Sequence, residues 1–114
     1  RKYLGIESPT DANGVMQDVH WSAGLVGYFP TYSLGNLYSA QLFEAAEREL
    51  GDLSEMFGRG EFQPLREWLR IHVHEPGRRF APEELVRRVA DEGISHAPLM
   101  RHLRGKLGPL YGLS

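Results

Sequence analysis

The apolar positions from residue 30 onward recur at helical spacing. Side chains three and four residues apart lie on one face of an α-helix. The face predicted here consists of Leu34, Leu37, Tyr38, Leu42, Ala45, Ala46 and Leu50. Most charged residues between positions 44 and 49 lie off this face. Gly51 follows where a glycine is favoured after a helix, so the pattern predicts an amphipathic helix from about Pro30 to Gly51.

Two further helices are predicted in the middle of the chain. The second runs from about Glu61 to His74, because apolar residues repeat there at helical spacing until Pro76-Gly77 breaks the pattern. The third begins at Pro82, because proline lacks a backbone N–H and an N–H in the first helical turn would have no partner within the helix. It is predicted to end at Gly93. Their buried faces are expected to be Phe62, Leu65, Trp68, Leu69 and Val73, then Leu85, Val86, Val89 and Ala90.

A fourth helix is predicted after Ser95, which caps it, and Gly108-Pro109 closes it. Its inward side chains are expected to be Leu99, Met100, Leu103 and Leu107. A short apolar tail follows at residues 110–113. The expected fold class is therefore all-α, with three to four helices, and the surplus of apolar residues indicates a larger body for them to pack against.

The first 33 residues show no lasting periodicity of either 2 or 3.6 residues, and glycines and prolines interrupt them repeatedly. Long irregular stretches rich in aromatic and polar residues are uncommon in compact domains and are often functional. The pattern thus predicts an irregular loop segment at residues 1–33 and a helical segment at residues 34–114.

Composition narrows the class of protein. The chain has 114 residues, of which 41% are hydrophobic and 25% charged, as in one ordinary globular domain. It contains no apolar run long enough to span a membrane and no secretory signal core. Cysteine is absent, which excludes disulfides and thiolate metal sites and fits the cytoplasm. A start on Arg1 suggests a fragment or a processed chain.

The charge pattern argues against a nucleic-acid partner. Residues 59–114 hold ten basic and seven acidic groups, an excess of 10 − 7 = 3 positive charges. Nucleic-acid-binding domains usually carry a denser basic face. The arginines are expected to form solvated helix faces instead.

Polar groups between residues 14 and 35 are candidates for chemistry. His20 can donate a hydrogen bond or exchange a proton near neutral pH, and Tyr28 and Tyr32 carry phenolic O–H donors. Gln17 and Asp18 can orient a neighbour. Donors placed on a loop suit stabilisation of a developing oxyanion. A purely structural role for these groups is the alternative, since polar loop residues have many uses.

Residues 14–21 read Gly-Val-Met-Gln-Asp-Val-His-Trp and match the GxxQDxHW motif of the Taq-type carboxypeptidases in full. Gly-Tyr-Phe-Pro-Thr-Tyr follows at residues 27–32 and is also similar to that family. So are residues 3–6, Leu34-Gly35, residues 78–80 and residues 108–113. The chain therefore resembles the C-terminal portion of a zinc carboxypeptidase over essentially its whole length, which implies a larger helical zinc-peptidase fold.

Members of that family are several hundred residues longer, and the extra length precedes the matching segment. Their motifs HExxH, DxRxT, HES(Q) and IRxxAD do not occur in this chain. The resemblance implies that the zinc ligands and the catalytic glutamate lie upstream of Arg1. No metal ligand is therefore expected in this chain, zinc is expected only in the full-length protein, and the chain alone is expected to be inactive.

The resemblance also implies site roles. The family removes C-terminal amino acids from peptides through a zinc-activated water. By similarity to the related thimet-type oligopeptidases, His20, Tyr28 and Tyr32 are the candidate catalytic donors, and the choice between the tyrosines stays open. The residues assigned to the substrate side of the cleft are Gln17, Asp18 and Trp21. Gln17 and Asp18 are expected to orient His20 or a neighbouring motif, and Trp21 is expected to be a packing residue.

Other charged candidates are weaker. Arg78 and Arg79 could bind the substrate carboxylate or could be surface arginines. His72 and His74 are two residues apart and so point to different faces of a helix, which argues against a shared metal.

Three functional hypotheses follow. The first is the cleft-forming segment of a carboxypeptidase, with a peptide substrate and the rest of the catalytic domain as partners. The second is a free-standing helical module that binds peptides or a protein. The third is an oligomerisation element, since members of the family are often homodimers.

Overall fold

The computed structural model describes residues 5–113, among which it shows five α-helices and no β-strand. The helices are α1 (Pro30–Leu50), α2 (Leu53–Gly58), α3 (Gln63–Leu69), α4 (Pro82–Ala90) and α5 (Ala97–Tyr111). A π-helical turn, Arg70–His74, continues α3, and short 3₁₀ turns lie at Asp11–Asn13, Val15–Gln17 and Gly77–Arg79. The all-α prediction is confirmed. Tyr3 and Leu4, which carry part of the resemblance, and Ser114, the end of the predicted helical segment, lie outside the described residues.

The chain divides into two compact units, residues 1–32 and residues 33–114. In the first unit, no described residue is buried. It is built from 3₁₀ and hydrogen-bonded turns that run into the first residues of α1. The role predicted for this segment, the wall of a cleft, stays a prediction.

The core of the second unit is small and built on α1. The fully buried apolar side chains are Ala45, Ala46, Leu53, Trp68, Val86 and Ala90. Half-buried side chains surround them, among them Tyr38, Phe43, Leu50, Met56, Phe57, Leu65, Leu69 and Val89. The two alanines keep the surface of α1 narrow, so that neighbouring side chains can pack closely against its backbone.

Helix α2 was not predicted from the hydrophobic pattern, yet it supplies Leu53, which is 0% exposed. Asp52 caps this helix, because its carboxylate accepts the backbone N–H of Glu55 at 2.9 Å. An aspartate at this position satisfies an amide that has no partner in the first turn. The cap fixes where the helix begins and so where Leu53 enters the core.

A buried glutamine joins α1 to the connection between α4 and α5. Gln41 is 1% exposed. Its Nε2 donates to the carbonyl oxygen of Gly93 at 2.8 Å and lies 3.3 Å from Oε1 of Glu92. Its Oε1 accepts the backbone N–H of Ser95 at 3.1 Å. Every polar atom of this buried amide therefore has a partner, as burial requires.

A second polar contact ties α1 to α3. The indole N–H of Trp68 donates to Oε2 of Glu49 at 2.9 Å. His72 stacks on the indole with 4.5 Å between ring centroids, and its Nδ1 lies 2.9 Å from the carbonyl oxygen of Trp68. A carbonyl only accepts, so Nδ1 of His72 carries a proton. His72 is half-buried and His74 exposed, as their spacing predicts.

Two predicted helix ends were wrong. Helix α4 ends at Ala90 with Asp91 in the left-handed region at φ 60°, and not at Gly93. Helix α5 continues through Pro109 to Tyr111, where Gly112 at φ 62° ends it. The backbone N–H groups of Gly112 and Leu113 both donate to the carbonyl oxygen of Gly108. These bonds hold the last turn although Pro109 lacks an N–H.

The fourth predicted helix begins and faces differently from the prediction, because its N-cap residue is His96, which makes no side-chain capping bond, and not Ser95. Oγ of Ser95 accepts the backbone N–H of Ala97 at 3.2 Å, directly before α5. The side chains of Met100 and Leu103, predicted to face inward, are 39% and 37% exposed. Phe62, predicted as buried, precedes α3 and is also exposed. Across residues 5–113, no helix has the length and apolar character that crossing a bilayer requires.

Candidate functional site

Residues 8–17 are shaped by their own hydrogen bonds. Oγ of Ser8 donates to the carbonyl oxygen of Thr10 at 2.7 Å, and Oγ1 of Thr10 accepts the backbone N–H of Asn13 at 3.2 Å. Nε2 of Gln17 donates to the carbonyl oxygen of Ala12 at 2.5 Å. Local side-chain bonds of this kind favour turns over regular helix, which is why the segment is irregular.

The first residue of the GxxQDxHW motif has a physical reason to be glycine. Gly14 adopts φ −130° and ψ −114° between the two 3₁₀ turns. A Cβ built there would lie 2.6 Å from Oγ of Ser8. Gly14 thus joins the two 3₁₀ turns at a point where any other side chain would have to displace Ser8.

Asp18 and His20 form the centre of the site. Oδ1 of Asp18 accepts the backbone N–H of His20 at 3.0 Å and lies 2.6 Å from Nδ1 of the same residue. The backbone hydrogen bond first, and the ring hydrogen bond second, lower the pKa of the Asp18 carboxyl. Asp18 is therefore a carboxylate at neutral pH, and it can only accept, so Nδ1 of His20 carries a proton.

Successive hydrogen-bonded turns after His20 bring the aromatic residues that follow it back to its imidazole ring. The backbone N–H of Leu25 donates to the carbonyl oxygen of His20 at 2.8 Å, and that of Tyr28 donates to Leu25 at 3.3 Å. The hydroxyl and backbone N–H of Thr31 both bond to the carbonyl oxygen of Tyr28. This path explains why residues so close in sequence gather their rings around one imidazole.

Three aromatic rings surround the imidazole of His20. Tyr28 stacks on it at 5.5 Å between centroids with 25° between planes. Phe29 lies at 4.8 Å, tilted by 47°, and Tyr32 meets it edge-on at 6.4 Å. Tyr28 and Tyr32 are perpendicular to each other at 5.4 Å. Contacts with three rings restrict the rotation of the imidazole.

The second nitrogen of His20 faces a hydroxyl. Nε2 lies 3.4 Å from the hydroxyl oxygen of Tyr32, a long hydrogen-bonding distance. Desolvation raises the pKa of Tyr32, and neighbouring Tyr28 and the charge of Asp18 raise it further. Tyr32 therefore keeps its proton at neutral pH and remains a hydrogen-bond donor.

The structure brings together four of the six predicted site residues, Asp18, His20, Tyr28 and Tyr32. The other two lie elsewhere. Gln17 donates to Ala12 and has no hydrogen bond to His20 within the described part of the chain. Trp21 follows His20 directly but is 68% exposed. No role was predicted for Phe29, which also contacts the imidazole. Its position between the two tyrosines of Gly-Tyr-Phe-Pro-Thr-Tyr was the signal that could have indicated this contact.

Among residues 5–113, no group of three or more histidine, cysteine, aspartate or glutamate side chains could hold a metal ion. Nδ1 of His20 is occupied by Asp18, and Nε2 faces a phenol. A catalytic zinc requires about three protein ligands, and the described residues do not by themselves bring that many together.

Known proteins share both the sequence and the fold. The chain is 53% identical over 112 residues to thermostable carboxypeptidase 1 of Thermus thermophilus. The aligned region covers 98% of this chain and 22% of that protein. It is 40% identical over 109 residues to carboxypeptidase 1 of Bacillus subtilis, covering 96% of this chain and 22% of that protein. The crystal structure of a carboxypeptidase from Deinococcus radiodurans superposes with a TM-score of 0.86 at 42% identity, covering 97% of this chain and 22% of that one.

The shared all-α fold and these sequence identities place the chain with the carboxypeptidases, a class of metallopeptidase in the family that it matches. The model of one family, "Carboxypeptidase Taq (M32) metallopeptidase", matches residues 1–107, and the chain belongs to that family. It spans about 22% of the length of the relatives it matches. A metallopeptidase family implies a metal cofactor, for which the described residues provide no ligand set.

Proposed function

We propose that this chain is the part of a metallocarboxypeptidase that supplies transition-state and substrate-cleft residues, while the metal is held by other residues of the full-length enzyme. The enzyme hydrolyses peptides at their C-terminal amino acid. The family match over residues 1–107 and the complete GxxQDxHW motif support this proposal. The chain spans only about 22% of its relatives, so the residues described here act together with the rest of the enzyme.

The arrangement around His20 carries the proposal. When a peptide bond is attacked, the carbonyl oxygen gains negative charge, and donors already in place stabilise that charge. Asp18 holds one side of the imidazole, and the Tyr32 hydroxyl lies next to the other side. The tyrosine hydroxyls, together with Nε2 of His20 when the ring carries a proton on both nitrogens, thus form a preorganised set of donors on a turn-rich segment.

The cluster is open to solvent on one side, as a site for a peptide must be. The side chain of His20 is 27% exposed, and both tyrosine rings are exposed as well. Trp21 offers a large apolar surface directly after His20. We assign Trp21 and Gln17 to the substrate side of the cleft, where Trp21 is a packing residue and Gln17 holds the preceding loop.

Three further features belong to the proposal. The metal is zinc, as expected from the resemblance of this chain to zinc carboxypeptidases. The enzyme works in the cytoplasm, which agrees with the absence of cysteine. The enzyme is a homodimer, which sedimentation of the full-length protein would test.

The proposal is tested by replacing His20 in the full-length enzyme that contains this segment. Loss of one oxyanion donor typically lowers turnover by about 10²–10³-fold, so His20→Ala should lower kcat by that amount for a blocked dipeptide. The matched control is His74→Ala, because His74 is exposed and distant from the cluster in sequence.

Metal content, measured by elemental analysis, should stay the same in both variants, since neither histidine is a proposed ligand. A His20→Ala enzyme with wild-type turnover would remove His20 from the catalytic site. A metal-loaded wild-type enzyme that releases no amino acid from any peptide would overturn the carboxypeptidase function itself.

A further inference from the structure

One oxygen atom makes both contacts between Asp18 and His20. Oδ1 accepts the backbone N–H of His20 at 3.0 Å and faces Nδ1 of the ring at 2.6 Å. The carboxylate is thus fixed by the backbone of the residue whose side chain it holds. A charge-assisted contact of this length is among the stronger hydrogen bonds in proteins.

We propose that Asp18 is a positioning residue that acts through His20: its carboxylate accepts the Nδ1–H and orients Nε2 toward the reacting carbonyl group, to which the doubly protonated ring donates from Nε2. The inference rests on the proposed function and deepens it. In the sequence, Asp18 was only one of several polar groups that could orient a neighbour or bind substrate, whereas among the described residues its carboxylate bonds to His20.

The two nitrogens of an imidazole are not equivalent, and the partner of one decides what the other can do. With Nδ1 bonded to Asp18, only Nε2 is left for Tyr32 or a substrate. A ring flip would place a carbon against Oδ1 and lose the 2.6 Å contact. Stacking by Tyr28 and Phe29 further restrains the plane of the ring.

The charges that face His20 favour the same role. Among residues 5–32, the titratable groups against the imidazole are Asp18, Tyr28 and Tyr32. Asp18 supplies negative charge, and the Tyr32 phenol is held neutral. A carboxylate beside Nδ1 stabilises positive charge on the ring, and that charge strengthens a hydrogen bond from Nε2 to an oxyanion.

A double-mutant cycle in the full-length enzyme separates this role from a general structural one. Asp18→Ala should lower kcat by about 10–100-fold, the loss typical when a group that orients a functional histidine is removed. KM should change less than about threefold. In the His20→Ala background, Asp18→Ala should lower kcat no further, because residues that act as one unit have non-additive effects. Losses that multiply would overturn the proposal.

Asp18→Asn provides the second readout. The backbone N–H of His20 must still face an acceptor, so the amide oxygen should take the place of Oδ1 and keep the bond to Nδ1. The asparagine variant should therefore retain at least about tenfold more kcat than the alanine variant. An asparagine variant no better than alanine would show that the hydrogen bond is not what Asp18 contributes, and the proposal would fall.

Asp11→Ala and Asp11→Asn are the matched controls, since Asp11 is an exposed carboxylate of the same loop and does not contact His20. Both should leave kcat within about twofold. Metal content and the far-ultraviolet spectrum identify any variant that fails to fold. If His20→Ala abolishes turnover and Asp18→Ala does not, only this inference fails and the carboxypeptidase function stands.

Discussion

The hydroxyl oxygen of Tyr32 lies 3.4 Å from Nε2 of His20, while Tyr28 meets the same imidazole face to face at 5.5 Å. The sequence could not separate the two tyrosines, because both follow the motif within a few residues and both carry the same donor. Their contacts with His20 differ. The hydroxyl of Tyr32 lies next to Nε2, whereas the ring of Tyr28 stacks on the imidazole.

We therefore expect Tyr32→Phe to lower kcat by about 10²-fold in the full-length enzyme, because it removes a donor beside Nε2. Tyr28→Phe keeps the stacked ring and should cost less than about tenfold. Tyr111→Phe, at an exposed position on α5, is the control and should have no effect. Turnover of a blocked dipeptide measures all three. A larger loss for Tyr28→Phe would reverse the assignment.

A pH dependence follows from the lowered pKa of Asp18. In the unfolded chain an aspartate titrates at about 3.9, so between that value and the lower folded value the unfolded state binds more protons. The stability that the Asp18–His20 contact provides is therefore complete above about pH 4 and is lost as the pH falls through the folded pKa.

The measurement is the midpoint of thermal unfolding for the wild type and Asp18→Asn between about pH 6 and pH 2.5. The wild type should be the more stable protein at the upper end, and the difference should shrink as Asp18 becomes protonated. Asp11→Asn, which removes an exposed carboxylate outside the His20 cluster, is the matched control. A gap between wild type and Asp18→Asn that widens toward low pH would contradict the structure.

Helical periodicity identified most of the fold but not the short helix α2. Its six residues, Leu53–Gly58, are too few for a period of 3.6 to show. A local start signal was nevertheless present, since Asp52 with Glu55 three residues later is a capping pattern. The helix could have been found from its cap, whereas the burial of Leu53 depends on distant residues.

The wrong helix ends have a different cause. A glycine after apolar repeats predicts a helix end at Gly93, but the helix ends at Ala90, and the carbonyl oxygen of Gly93 accepts a hydrogen bond from Gln41, 52 residues away. No local rule contains that contact. At Pro109, the expected break gives way to one more turn held by bonds to Gly108. Proline weakens a helix interior, and near a C-terminus other bonds can offset the loss.

In the candidate site, residue types and family resemblance identified His20 and its neighbours, but geometry assigned their contacts. Gln17 was expected to orient His20 or a neighbouring motif and instead donates to Ala12. Phe29 covers the imidazole although an apolar ring offers no chemistry of its own. Both facts depend on the path of the turns, which a motif does not specify.

Gln41 leads to a prediction on stability. Replacing it with leucine keeps the volume but leaves the N–H of Ser95 and the carbonyl of Gly93 without their partner. A buried unsatisfied group costs about 1–3 kcal/mol, so Gln41→Leu should lower the free energy of unfolding by that amount. Amide hydrogen exchange should locate the effect, with faster exchange at Ser95. Gln63→Leu, at an exposed site, should change neither quantity.

Leu53 tests whether the unpredicted helix belongs to the core. Truncating a fully buried leucine to alanine typically costs about 2–5 kcal/mol, because transfer energy is lost and a cavity remains. Leu53→Ala should therefore destabilise the protein by that amount, since its side chain is 0% exposed. Leu50→Ala, next to the same core but half-buried, should cost less. Denaturant unfolding ranks the two variants, and if Leu50→Ala proved the more damaging, α2 would not contribute to the core as the structure describes.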